Sequence, residues 1–523
     1  MNQRKKTWKK ASTTLLAVSL LGGLLAGCGN SSNSGNNGNE TSTPETSNNQ
    51  SSPVEATKEP AAPFAFSITT QLNDAQPPAL DGNPIWEEFE KLTNTDITVN
   101  YVPNANYIDK FNLSLASGDL TDVVMAPAAV IKGTAFVNAA RGGAFWDLTD
   151  ELSKYPNIAK NMNDIILANT SIDGRTYGIP QPRQTARVGV LYRKDWFEKY
   201  DIKVPTSLEE FYAAAKEIKE KLPDVTPFSY ADQVKESTWN GLDLLTVSNG
   251  GFNIWGLKDE KIQPYYDSPE YISVLETFRN MYNEGLMNRD FAIVQGAQKK
   301  EAISTGKAAM FATAYDDANG IQLAIEQIDP EAQIGLIPVI NGETNSTSGH
   351  NGLFVLPKSK VKTQEQVDAI LTYFDRALEE DIILLKNYGI EGETFTYADG
   401  APTFIDGDVE AKYKENNKPL ASVSISPVVV RWPNDPPLAA LIKDAFEQYA
   451  ETAVPNLVDP FVSTTYVERG GELDKVVYDA RVKFIMGEID ANGYSAAVAE
   501  WRKQGGDKMI EEYTAEYNKA QSK

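Results

Sequence analysis

One cysteine and one histidine occur in 523 residues, Cys28 and His350. A single thiol excludes a disulfide within the chain. A single imidazole would leave carboxylates to complete any zinc site, a poor match to the nitrogen- and sulfur-rich sets that zinc takes, so no metal is expected. A Ser-His-Asp triad would have to use His350, and no G-x-S-x-G elbow accompanies it. No glycine-rich phosphate loop appears. Positive charge is also scarce, with 49 lysines and arginines against 72 aspartates and glutamates, for a net charge of −23. Such a chain is repelled by nucleic acid and by anionic lipid, so neither is expected as a partner. The longest apolar run, Leu15–Ala26, falls short of the ~20 residues that a stable membrane span needs.

That run has a different use. Arg4, Lys5, Lys6, Lys9 and Lys10 precede it without an acid among them, and small residues close it. Basic start, apolar centre and small exit read as a secretory signal peptide over residues 1–27. Leu25-Ala26-Gly27-Cys28 resembles a bacterial lipobox, which implies cleavage before Cys28 and diacylation of its thiol. Two acyl chains anchor stably where one is marginal. Without the five cations before Cys28 the net charge falls from −23 to −28. Residues 28–62 are rich in Asn, Ser, Thr, Gly and Pro and lack periodic apolar positions, so they read as a disordered tether. A flexible chain of about 34 residues has an r.m.s. reach of roughly 30–35 Å.

The remaining body of about 460 residues is too large for one core and suits two lobes. "FAFSITT", "DITVNYV" and "TDVVMA" read as strands. They alternate with the helical "NPIWEEFEKLTN" and with "NYIDKFNLSLASGD", where Ile108, Phe111, Asn112 and Leu115 share a stripe. This βαβαβ pattern predicts a parallel sheet covered by helices. Ser207 with Glu210, and Thr363 with Gln366, read as capping boxes that start helices. "NGETNSTSGHNG" reads as a linker, and the C-terminus as helical with a break at Gly505-Gly506.

Several stretches together resemble family 1 extracellular solute-binding lipoproteins of carbohydrate ABC importers, in particular a Gram-positive subgroup of LipO and aldouronate type. They include "NPIWEEFEKLTNTDITVNY", "KFNLSLASGDLTDVV", "IDGRTYGIP", "LYRKDWFEKYDIKVPTSLEEFY", "YGIEGETFTYADG" and "WRKQGGDKMIEEYTAEYN". The resemblance spans nearly the whole mature chain. It implies an α/β, two-lobed periplasmic-binding-protein-like fold (type II, cluster D) with an interlobe ligand cleft and a hinge. Residues 63–186 with 342–420 would form lobe 1, and 187–341 with 421–523 lobe 2. It also implies an oligosaccharide ligand, ABC permease subunits as partners, a lipid-anchored monomer on the outer membrane face and no catalysed reaction. Some relatives carry a calcium loop after the helix matching Leu208–Leu222. Here "PDVTPFSYADQ" lacks the D-x-[DN]-x-[DN]-G spacing, so no cofactor or metal is expected.

A sugar offers an apolar face to aromatic rings and a hydroxyl edge to polar groups. Trp239, Trp255, Tyr315 and Trp432 lie in segments without core periodicity and are candidates to stack on it. By the resemblance, the segments of Tyr315 and Trp432 are those that often stack on sugar in relatives. Asp316, His350, Arg183 and Arg431 are candidates for the polar edge. Arg183, Arg187 and Arg431 lie near the implied crossings, where they would hold a uronic carboxylate or pair with the chain's own acids. Two other readings remain open from the residues: an oligopeptide receptor, and a surface glycoside hydrolase using a carboxylate pair such as Asp316-Asp317.

Overall fold

The computed structural model describes residues 62–72, 76–232, 241–294 and 296–522. Cys28, the tether and Trp239 lie outside the described residues. Thirteen strands occur among the described residues: β1 (Phe64–Leu72), β2 (Thr95–Pro103), β3 (Val123–Pro127), β4 (Ile179–Pro182), β5 (Val188–Arg193), β6 (Thr226–Ser229), β7 (Trp255–Lys258), β8 (Lys261–Pro264), β9 (Ala308–Ala314), β10 (Ile334–Ile337), β11 (His350–Val355), β12 (Phe395–Ala398) and β13 (Ala401–Phe404), the last two pairing as a hairpin. One sheet has the order β2-β1-β3-β11-β4 and the other β10-β5-β9-β6, while β7 and β8 form a separate hairpin.

Each sheet has its own apolar core. Ile68, Val123, Phe354 and Phe374 belong to the first, and Val190, Phe228, Phe278 and Trp501 to the second. The other face of the second sheet packs Leu191, Phe311 and Tyr315 against Ile442 and Phe446. These two sheets and their cores make the two lobes of an α/β protein. The three strands of the βαβαβ pattern, β1, β2 and β3, run parallel as that pattern predicts, and strands from later in the chain make both sheets mixed. β1 runs parallel to β2 and β3, but β11 is antiparallel to β3 and β4. In the second sheet β5 is antiparallel to β9 and β10, and β6 parallel to β9. The reversed strands β5 and β11 each arrive directly from the other lobe, so they enter their sheet from the edge facing it.

The chain passes between sheets from β4 to β5 and again from β10 to β11. A third passage leads from the first core to the helix Pro437–Tyr449. Val423 and Ile425 still pack in the first core, beyond residue 420, because they continue the buried face of the helix Lys418–Val423. The stretch that reads as a linker is instead threaded through the protein. Thr344, Asn345, Ser346 and His350 are buried, and the Thr344 hydroxyl donates to the Val188 carbonyl at 2.8 Å.

Local details differ where a polar atom finds a partner. In the helix Asn104–Ser117 Tyr107 is buried and its hydroxyl donates to the Met125 carbonyl at 2.7 Å, while Ile108 is 38 % exposed. A reciprocal capping box forms at Thr363 and Gln366. At the helix Leu208–Lys221 the Ser207 side chain accepts from Glu210, but the Glu210 carboxylate turns to the amide and hydroxyl of Thr206. Within "PDVTPFSYADQ", Thr226–Ser229 form β6.

Candidate functional site

The C-terminal end of β3 leads to a cavity of about 380 Å³ walled by both lobes. Crevices at strand carboxyl ends are where α/β proteins usually bind ligands, and the volume falls in the range of small-molecule sites. The first lobe contributes Ala128, Ala129, Lys132 and Gly133, directly after β3. The second contributes Trp255 from β7, Tyr265 and Tyr266 after β8, the turn around Asp459, and Tyr466, Asp474 and Arg481 from the helix Thr464–Met486.

Tyr466 lines the cavity and is 37 % exposed. Its hydroxyl donates to Asp474 at 3.0 Å. Lys132 reaches across the lobes, donating to the Ser171 carbonyl at 2.6 Å and to the Pro460 carbonyl at 3.3 Å. Thr134 makes a second crossing contact with the Val467 carbonyl. Beneath the pocket, Arg481 donates to Asp232 at 2.5 Å, and Tyr265 donates to Asp243 at 2.5 Å.

Burial dominates the electrostatics. It pushes Asp459 up to about 7 against the opposing pull of Lys132 and the amide of Asn456. It pushes Asp474 up to about 6, partly offset by the Tyr466 hydrogen bond. Lys132 is brought down to about 8 by the same loss of solvent, with Asp459 and Asp173 opposing. Rings, carboxyls and one ammonium thus face a shared space, a set able to cover a ring's C–H face and bond its hydroxyls.

The residues singled out in the sequence are dispersed. Trp255 lines this cavity, although most of its ring packs against Tyr513 at 5.2 Å and Trp501 at 6.1 Å. His350 opens β11 with its side chain buried and Nδ1 unpartnered. Burial, with Lys132 and Arg183 adding to it, pushes its pKa down to about 3, so the imidazole is neutral.

Tyr315 is not a stacking platform. It is fully buried, stacked on Phe446 at 5.5 Å, and its hydroxyl donates to the Pro338 carbonyl at 2.6 Å. Asp316 is held by Arg187, and its neighbour Asp317 by Lys300 at 2.6 Å. The suggestive carboxylate pair is therefore occupied by cations of the same lobe. Arg431 is engaged by Asp444 and Glu447. Trp432 packs edge-on against Tyr388 at 5.1 Å, and neither Arg431 nor Trp432 lines the cavity. Arg183 lines a different cavity.

Sequence reasoning missed Lys132, Asp459, Tyr466, Asp474 and Arg481. One signal was present. Arg481 sits on the buried stripe of its helix with Val477, Phe484 and Ile485, and a charge on an apolar stripe marks a buried pair.

Two mixed α/β sheets, several passages between them and a cavity walled from both sides define the two-lobed class of binding proteins. Residues 78–374 match the model of the bacterial extracellular solute-binding proteins, and the chain belongs to that family. It is 30 % identical over 518 residues to lipoprotein LipO of Bacillus subtilis strain 168, covering 96 % of this chain and 97 % of that one. It is also 30 % identical to the polygalacturonan/rhamnogalacturonan-binding protein YtcQ of the same organism, over 97 % of this chain and 98 % of that one. Among solved structures, the HMO-binding, ABC-transporter-associated solute-binding protein of Bifidobacterium longum infantis superposes with a TM-score of 0.68. It is 20 % identical and covers 87 % of this chain and 99 % of that one.

Proposed function

We propose that this chain captures an oligosaccharide between its lobes and delivers it to the permease of an ABC importer, without catalysing a reaction. The observation that carries the reading is the cavity itself, where Trp255 and Tyr466 meet Asp459, Asp474 and Lys132 across the two lobes. The relative YtcQ is named for binding pectic chains, which makes oligogalacturonides the first ligands to test. Lys132 supplies a cation for their carboxylates. Hinge closure about the three passages would bring both walls onto the sugar. Lipidation at Cys28 and a monomeric body on the outer membrane face complete the proposal.

Calorimetry of the soluble body against oligogalacturonides, neutral plant oligosaccharides and peptides tests it. Saturable binding of a sugar with no product formed over hours is the expected result. Binding of peptides alone, or release of shorter sugars by the protein, would overturn it.

A further inference from the structure

A second cavity, of about 300 Å³, shares no lining residue with the first. Its walls come from both lobes and from two passages between them. Lys160, Asn161 and Asn163 belong to the first lobe, and Arg183–Thr185 follow β4. Pro427–Val429 lie on the third passage, and Phe446, Glu447 and Ala450 on and just after the helix Pro437–Tyr449. Anything bound here touches both lobes and two of the segments that join them.

The polar groups in this cavity are unevenly committed. Glu447 is taken by Arg431, at 2.7 and 3.1 Å. The Gln184 amide donates to the Val428 carbonyl, and the Thr185 hydroxyl donates to the Ala450 carbonyl at 3.2 Å. The Asn163 side-chain oxygen caps the helix Asp164–Thr170, which leaves its NH₂ unused.

Arg183 stands apart. Every other arginine among the described residues makes a side-chain hydrogen bond or ion pair. Arg141, Arg175, Arg376, Arg431, Arg469 and Arg502 all find carboxylates even at the surface. The guanidinium of Arg183 makes neither, although acids outnumber bases 72 to 49. Its backbone is pinned by a 2.8 Å bond to the Gly349 carbonyl. The nearby carboxylates of Asp316 and Asp317 are already held by Arg187 and Lys300. Lys160 is likewise without a partner among the described residues. What this cavity offers a guest is therefore two cations and an amide donor, with its one acid already neutralised.

We propose that this cavity is a second binding site, for a small oxyanion, carboxylate or phosphate, held by Arg183 and Lys160 where the lobes join. A planar guanidinium receives either group through paired hydrogen bonds. Burial lowers the Arg183 pKa to about 10, with Arg187 adding to the effect, so the group is still charged at neutral pH. A protein of charge −23 repels anions in general, so saturable anion binding requires a local site.

The test titrates the protein with sodium phosphate and with sodium citrate, each against sodium chloride of equal ionic strength, following the melting temperature. A saturable rise with phosphate or citrate and none with chloride is expected, and the stronger of the two identifies the chemistry. Arg183→Gln should weaken binding at least tenfold, with Arg183→Lys recovering part of it. Lys160→Gln, at an exposed position, should weaken it severalfold without changing the unliganded melting temperature. Absence of a saturable rise over chloride overturns the proposal. So does wild-type anion affinity in both Arg183→Gln and Lys160→Gln. No sugar is present in these titrations, so their failure leaves the oligosaccharide reading standing.

Discussion

Arg481 donates to Asp232 at 2.5 Å, both side chains buried, and the pair ties the end of β6 to the helix Thr464–Met486 under the interlobe cavity. Burial alone would lower the arginine's pKa, but Asp232 and the surrounding tyrosines hold it well above the usual value, so the guanidinium stays charged. Removing one member strands the other's charge, which typically costs about 3–5 kcal/mol. Asp232→Ala should destabilise the second lobe on that scale in denaturant titration. A loss below about 1 kcal/mol, the scale of a surface pair, would show that the pair contributes little.

Tyr466 lines the cavity and bonds Asp474. Tyr466→Ala should cost about 1–3 kcal/mol of sugar binding, the scale of a lost anchor. Trp432→Ala should leave affinity within a factor of two, since its ring rests on Tyr388 outside the cavity. Calorimetry on both variants checks the assignment; the reverse ranking would move the site to the Trp432 segment.

Tyr315 belongs to the core on the outer face of the second sheet. Tyr315→Ala should destabilise that lobe by about 3–5 kcal/mol, as expected for a large buried aromatic. Tyr315→Phe keeps the ring and loses only the bond to Pro338, so it should cost about 1 kcal/mol. Equal stability of wild type and Tyr315→Ala would contradict this placement.

His350 sets a pH dependence. Its folded pKa is about 3, against an ordinary value of 6.5. Between those values the unfolded chain binds the extra proton, so this residue's contribution is full above about pH 6.5 and falls as pH drops toward 3. Asp243, Asp459 and Asp474, raised by burial, act with the opposite sign. The isolating measurement is therefore the difference between wild type and His350→Asn. The variant should lose less stability than wild type between pH 7.5 and pH 5, and parallel losses would remove His350 from the account.

Cys28 carries the anchor in the proposed function. Cys28→Ala should release the body or leave an uncleaved precursor, read by fractionation and by labelling with a tagged fatty acid. Wild-type protein that never takes up label would end that part of the proposal.

Local sequence determined what depends on neighbours along the chain. The three N-terminal strands, the box at Thr363 and Gln366, and the break at Gly505, where φ is +155°, follow from periodicity, capping and glycine's freedom. Family resemblance added the two-lobed fold. Tertiary structure decided which polar residues remained free. The sequence reading put Tyr315 on a ligand's face and Asp316 and Arg431 at its polar edge, yet a core stack and three ion pairs claim them, from partners 13 to 131 residues away. Lys132, Asp459, Tyr466 and Asp474 are unremarkable along the chain, and only the approach of β3's end to the C-terminal helices puts them around one space. Whether a charge is spent within the fold or kept for a ligand depends on distances that sequence neighbours do not set.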